Sequence, residues 1–122
     1  MIRSLFERVF RKTTQYEPSP GDICSVASGN LGFAIAKVLA VDAGVVHVRL
    51  YREKFPCRPL QVDPSKLSLG KVGDVEGFGM GHLPLSRATF AGWEPVLIQS
   101  EPVTEEELDG YRIWQGDTGG VW

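Results

Sequence analysis

Residues 33–52 read FAIAKVLAVDAGVVHVRLYR. Two runs rich in aliphatic and β-branched residues, Phe33–Val41 and Val45–Arg52, flank Asp42-Ala43-Gly44. Strand-forming runs joined by a short glycine-bearing turn predict an antiparallel hairpin with glycine in the left-handed position. Side-chain parity then sorts the faces. Val46, Val48 and Leu50 share one side of the second strand; Val45, His47, Arg49 and Tyr51 share the other. The first set reads as the core row. The second is a mixed polar face closed by an aromatic ring. In the first strand Lys37 falls in the row of Phe33, Ile35, Leu39 and Val41. A lysine there is costly unless paired, so a bulge at Ala36-Lys37 turning Lys37 outward is expected.

Working outward, Asp22–Ala27 reads as a short strand, closed by Ser28-Gly29-Asn30, whose Gly and Asn tolerate positive φ. Glu53–Leu67 contains Pro56, Pro59 and Pro64 and reads as loop or sheet edge. Gly77–Gly81 gives a G-x-G-x-G pattern with Pro84 where a phosphate-binding helix would have to open, so it reads as a flexible or closely packed loop carrying His82. Phe90–Gln99 reads as a strand with Trp93. Thr104 to Glu107 has capping-box form, and Asp109-Gly110 then stops the turn after about one helical turn. Tyr111–Trp114 reads as a last strand before a glycine-rich tail ending in Trp122.

The first twelve residues, MIRSLFERVFRK, place Ile2, Leu5, Phe6, Val9 and Phe10 at the spacing of an amphipathic helix. Residues 13–20 (TTQYEPSP) form a linker. Residues 21–122 then make a single domain, since 122 residues suit one core. With 14 glycines and 8 prolines, about 18% of the chain, the composition stays below that of low-complexity disorder. Sequence-local hairpins without intervening helices favour a mainly β fold, a small SH3-like barrel of five to six antiparallel strands behind the N-terminal helix, over a parallel α/β sheet.

Charge is segregated. Residues 1–16 carry Arg3, Arg8, Arg11 and Lys12 against Glu7, whereas residues 94–122 carry seven acidic residues against Arg112. The net charge of −2 argues against a dedicated nucleic-acid coat. Two cysteines, Cys24 and Cys57, match no zinc spacing and are fewer than a small secreted domain carries. Both are expected to be free and at least half-buried in a cytoplasmic protein. No apolar run approaches the roughly 18 residues of a membrane span, and Glu7 and Arg8 interrupt any signal-peptide core. A membrane surface enters only through residues 1–12. No nucleophile motif, metal spacing or cofactor motif is present, so neither metal nor cofactor is expected.

The stretch Pro20-Gly21-Asp22-Ile23, followed by Gly32-Phe33-Ala34-Ile35-Ala36-Lys37-Val38-Leu39, resembles the opening of SH3-like barrels and is similar to that of immunity proteins from bacterial polymorphic-toxin systems. Val-His-Val-Arg at 46–49 resembles the third strand of Tudor-type barrels, which imply an aromatic cage. Only Phe33, Tyr51 and Phe55 fall near such a cage, and no functional residue is carried over.

The sequence thus leads first to a non-catalytic protein-binding domain of immunity type, covering a basic toxin domain. His47, Arg49, Tyr51, His82, Glu105, Glu106, Asp109, Trp114 and Trp122 are its expected partner-binding residues. A nucleic-acid-associated barrel, with Arg49 and Tyr51 as a stacking platform, is the second reading. A ligand or enzymatic site around His82 and His47 is the third.

Overall fold

The computed structural model describes residues 16–71, 77, 79–117 and 120–122. The helix expected over residues 1–12 lies outside them. Five antiparallel strands, β1 (Asp22–Ala27), β2 (Phe33–Asp42), β3 (Val45–Phe55), β4 (Met80–Ser86) and β5 (Val96–Ser100), form one sheet in the order β4-β3-β2-β1-β5. The sheet is open. β4 and β5 are its two edges and do not meet, so the expected closed barrel is corrected to a five-stranded sheet covered on both faces.

The β2–β3 hairpin turns on two residues, with Asp42 paired to Val45 and positive φ at both Ala43 (51°) and Gly44 (80°). That is the turn whose twist matches the strands. Two irregularities bend this pair, one between Ala34 and Ala36 and one between Val38 and Ala40. They flank Lys37 rather than turning it: Lys37 stays in register with Arg49 and is only 5% exposed.

One face of the sheet buries Cys24, Val26, Ala34, Ala36, Val38, Val46, Val48 and Leu85. Helix α1 (Arg87–Gly92) covers it with Phe90, helped by Trp93 and Tyr16. The expected long strand from Phe90 fails because the Ser86 hydroxyl accepts from the Thr89 N–H at 3.0 Å and caps a helix instead. The other face carries Ile23, Ile35 and Tyr51, against which Phe55, Val62, Leu67, Leu69 and Ile98 pack.

Helix α2 (Asp109–Gln115) replaces the expected last strand at Tyr111–Trp114. The Thr104 capping box forms as read, with Thr104 N–H donating to Glu107 at 2.8 Å and Glu107 N–H to Thr104 at 3.2 Å. A 3-10 turn (Glu106–Leu108) then runs directly into α2. Gly110 does not stop the turn. It lets the helix approach β4, because a Cβ there would stand 2.6 Å from His82 Cβ.

Among the described residues no helix is long and apolar enough to cross a membrane.

Candidate functional site

His82 lies on β4, not on a flexible loop rim. Pro84 is tolerated because β4 is an edge strand, where a missing N–H breaks no inner ladder. The β3–β4 register sets His47 opposite Pro84 and brings the His82 ring beside it. His47 Nδ1 and His82 Nε2 are 2.9 Å apart, the rings lie within 10° of parallel, and their centroids are 5.1 Å apart. The nitrogen gap plus two ring radii accounts for that separation, so the imidazoles meet end to end. The shared hydrogen bond takes the N–H of one ring and the lone pair of the other.

Tyr111 and Trp114 from α2 cover His47 edge-on, each with its ring centroid 4.6 Å away. His47 is fully buried, which corrects its expected place among the partner-binding residues. Burial, then the neighbouring His82, pushes its pKa down to about 4 despite the opposing pull of Asp42. Burial also lowers His82. Both rings are neutral at pH 7. His47 Nε2 is the one buried side-chain nitrogen or oxygen among the described residues without a hydrogen-bond partner. This is an interior junction between α2 and the sheet.

Lys37 and Arg49 face each other across β2 and β3, a like-charge pair that costs energy unless screened. Glu107 supplies the screen. The Lys37 ammonium donates to Pro102 O at 2.8 Å and to both Glu107 carboxylate oxygens, at 3.1 and 3.2 Å. Burial works against ionising Glu107, but the Thr104 N–H, Lys37 and Arg49 outweigh it and hold its pKa below the ordinary value. Arg49 donates to Gly81 O at 3.3 Å, and Tyr51 is 8% exposed. On the second strand face His47 and Tyr51 are therefore buried and Arg49 is half-buried, so the expected contact row and stacking platform are largely covered. The acidic segment is in part the counter-charge of this face.

A third polar group sits at the start of β1. Asp22, itself buried, accepts from the Tyr16 hydroxyl (2.6 Å), the Ser19 N–H (3.0 Å) and the Ser100 hydroxyl (3.1 Å). Cys24 donates to the Tyr16 oxygen at 3.4 Å. Burial drives the Tyr16 pKa far up and pushes the Cys24 thiol up to about 11, so Cys24 stays protonated and is a poor nucleophile. Cys57 is free as expected but exposed, not half-buried. Of the would-be cage, Phe33 is occupied from within by the Arg58 guanidinium, 4.6 Å above the ring. Among the described residues no three His, Cys, Asp or Glu side chains stand close enough to hold a metal ion.

What remains at the surface differs from the expected set. Glu105, Glu106 and Asp109 are exposed, though Glu105 is paired to Arg112 at 2.6 Å. Trp114 is half-buried over His47. Trp122 is bound through its backbone: its N–H donates to Pro84 O (2.8 Å), and its carbonyl accepts from Ser86 N–H (3.4 Å) and the Thr89 hydroxyl (2.7 Å). It thereby covers the outer edge of β4. On the opposite side no strand among the described residues pairs with the outer edge of β5, whose Val96 and Leu97 are 47% and 50% exposed. Sequence reasoning gave these apolar residues to a strand; only the sheet order marks them as an edge. Comparison with protein-family models, curated proteins and solved structures found no match.

Proposed function

We propose that this chain is a non-catalytic protein-binding domain. One observation carries the reading: among the described residues the outer edge of β5 has no strand partner, and it bears two half-exposed aliphatic side chains, Val96 and Leu97. Folded proteins usually blunt or cover such an edge, because it templates pairing with another chain. The groups with chemical potential support the same reading. The facing imidazole nitrogens are hydrogen-bonded to each other, the Cys24 thiol is held protonated, the buried Asp22 carboxylate is hydrogen-bonded and the half-buried Glu107 carboxylate is ion-paired.

The acidic balance of residues 94–122 favours a cationic partner. A basic toxin domain, as the resemblance of residues 20–51 to immunity proteins implies, belongs to that class. The test is co-purification of the tagged full chain at low salt, followed by rebinding of the purified components. The expected result is one protein recovered in equimolar amount, with an association rate that falls as salt rises. A chain that returns alone at every salt concentration would overturn the reading.

A further inference from the structure

The open edge has a defined length and a defined charge. Gly21 O accepts from Glu101 N–H at 2.9 Å, and Ala27 N–H donates to Trp93 O at 2.8 Å. Residues 93–101 therefore run alongside residues 21–27. The register shift between Ile23 and Cys24, where Gln99 and Leu97 are the successive partners, places an extra residue at Ile98. At about 3.3 Å per residue the edge is about 20 Å long. A carboxylate stands at either end, Glu94 and Glu101. Glu101 accepts from the Gln99 amide at 3.0 Å. Glu94 makes no side-chain hydrogen bond or ion pair among the described residues, and its backbone is held at φ 57°, a left-handed conformation that glycine would adopt at lower cost. Arg58 is engaged with Ser25 of β1, donating to its carbonyl (3.0 Å) and hydroxyl (2.9 Å).

Next to Glu94 the surface opens into a cavity of about 380 Å³. Tyr16, Phe90 and Pro95 form its apolar wall, and Glu17, Arg87 and Glu94 line its polar side. Glu17 is neutralised by Arg87 at 2.6 Å, which leaves Glu94 as the carboxylate with charge to offer.

We infer that the outer edge of β5 takes up an extended peptide segment as a sixth strand, and that this segment carries a cationic side chain at each end, about six residues apart. The inference rests on the protein-binding reading and names its surface and partner chemistry. Main-chain hydrogen bonds to β5 supply affinity, and Val96 and Leu97 supply apolar contact. Glu94 and Glu101 select the charge, and the cavity beside Glu94 receives the long aliphatic stem of the cation at that end. A second copy of the chain suits the edge poorly. Antiparallel pairing of β5 with itself about the Leu97–Ile98 midpoint sets Glu94 directly opposite Glu101, and like charges across a strand pair repel.

The probe is a synthetic seven-residue peptide, Lys-Thr-Val-Thr-Val-Thr-Lys, labelled and titrated with the full chain at low salt by fluorescence anisotropy. It is expected to bind the wild type and to bind at least tenfold more weakly to a Glu94→Lys, Glu101→Lys double variant. Binding should vanish when alternate amides of the probe are N-methylated, which removes strand pairing and keeps the charges. A peptide with Glu at both ends should not bind. Glu94→Gly should weaken probe binding while raising the melting temperature, a combination that loss of folding cannot produce. Four results would each overturn the inference: no probe binding up to about 1 mM, equal binding by the double variant, equal binding of the methylated probe, or a dimer of the chain alone that Leu97→Lys dissolves. A native partner held equally well by wild type and double variant would also overturn it, while leaving the protein-binding reading intact.

Discussion

The two edges of the sheet are treated in opposite ways. At β4, Pro84 withdraws an N–H, Trp122 bonds the outer backbone on both sides of Leu85, and α2 packs close enough to require Gly110. At β5 no described segment bonds the outer backbone, Pro95 and an irregularity at Ile98 interrupt the edge, and Val96 and Leu97 remain half exposed. Among the described residues one edge is bonded along its outer backbone and the other, more apolar, has no strand partner, so the two differ in their exposure to other chains. The difference teaches where stability and where recognition reside. The covered side holds the buried ion pair and the imidazole pair; the open side holds neither.

The largest expected effect therefore lies on the covered side. Glu107→Ala leaves the Lys37 ammonium buried without its counter-charge and should cost about 3–5 kcal/mol in chemical denaturation. The same variant should loosen α2 and raise hydrogen exchange in β4. A loss below about 1 kcal/mol would show that Lys37 reaches water.

Acid is the second way to break the covered side. A neutral buried histidine whose pKa is lowered in the folded state lets the unfolded state bind protons first. Its contribution is complete above pH 6.5 and is lost as pH falls from 6.5 toward 4. For His47 this loss is at most about 3 kcal/mol. Glu107, with its depressed pKa, adds stability that is present above the ordinary carboxylate pKa of 4.5 and disappears below it. Thermal melts of the wild type should thus fall between pH 6.5 and 4.5, before the carboxylates titrate, and His47→Phe should flatten that part of the curve. A slope that His47→Phe leaves unchanged would contradict the assignment.

Gly110→Ala should cost about 1–3 kcal/mol, because its Cβ would press on His82 where α2 meets β4. At the smallest end, Leu97→Lys on the open edge should change stability by less than about 0.5 kcal/mol, as surface substitutions away from special features do. A large loss there would mean that the edge is covered after all.

How much of this was readable beforehand follows the range of the interactions. β1 and the β2–β3 hairpin were legible because alternation and turn chemistry are local signals; β1 begins and ends where the sequence placed it, at Asp22 and Ala27. The Thr104 box was legible for the same reason. β4 was not, since GMGHLPLS has weak strand propensity and is held by a partner strand 35 positions away in the His47–His82 pair. Lys37 was read as a problem that a bulge would solve, whereas its solution is Glu107, 70 residues on. The role of Gly110 was misread because a helix stop and a close approach leave the same residue in the sequence. Among the expected contact residues, His47, Arg49 and Tyr51 sit on the face that alternation assigned to them, but nothing local announces that loops and the acidic segment cover it. The edge character of Val96 and Leu97 depends on strand order, which one sequence does not display.

The most direct test of the asymmetry is amide hydrogen exchange of the full chain with and without the lysine-ended heptapeptide. Without it, Ser86 should be protected by its bond to Trp122, while the outward amides of β5 exchange freely. With it, protection should rise along residues 96–100 and nowhere on β4 or α2. Protection of β5 in the free chain, or peptide-induced protection centred on β4, would contradict the account.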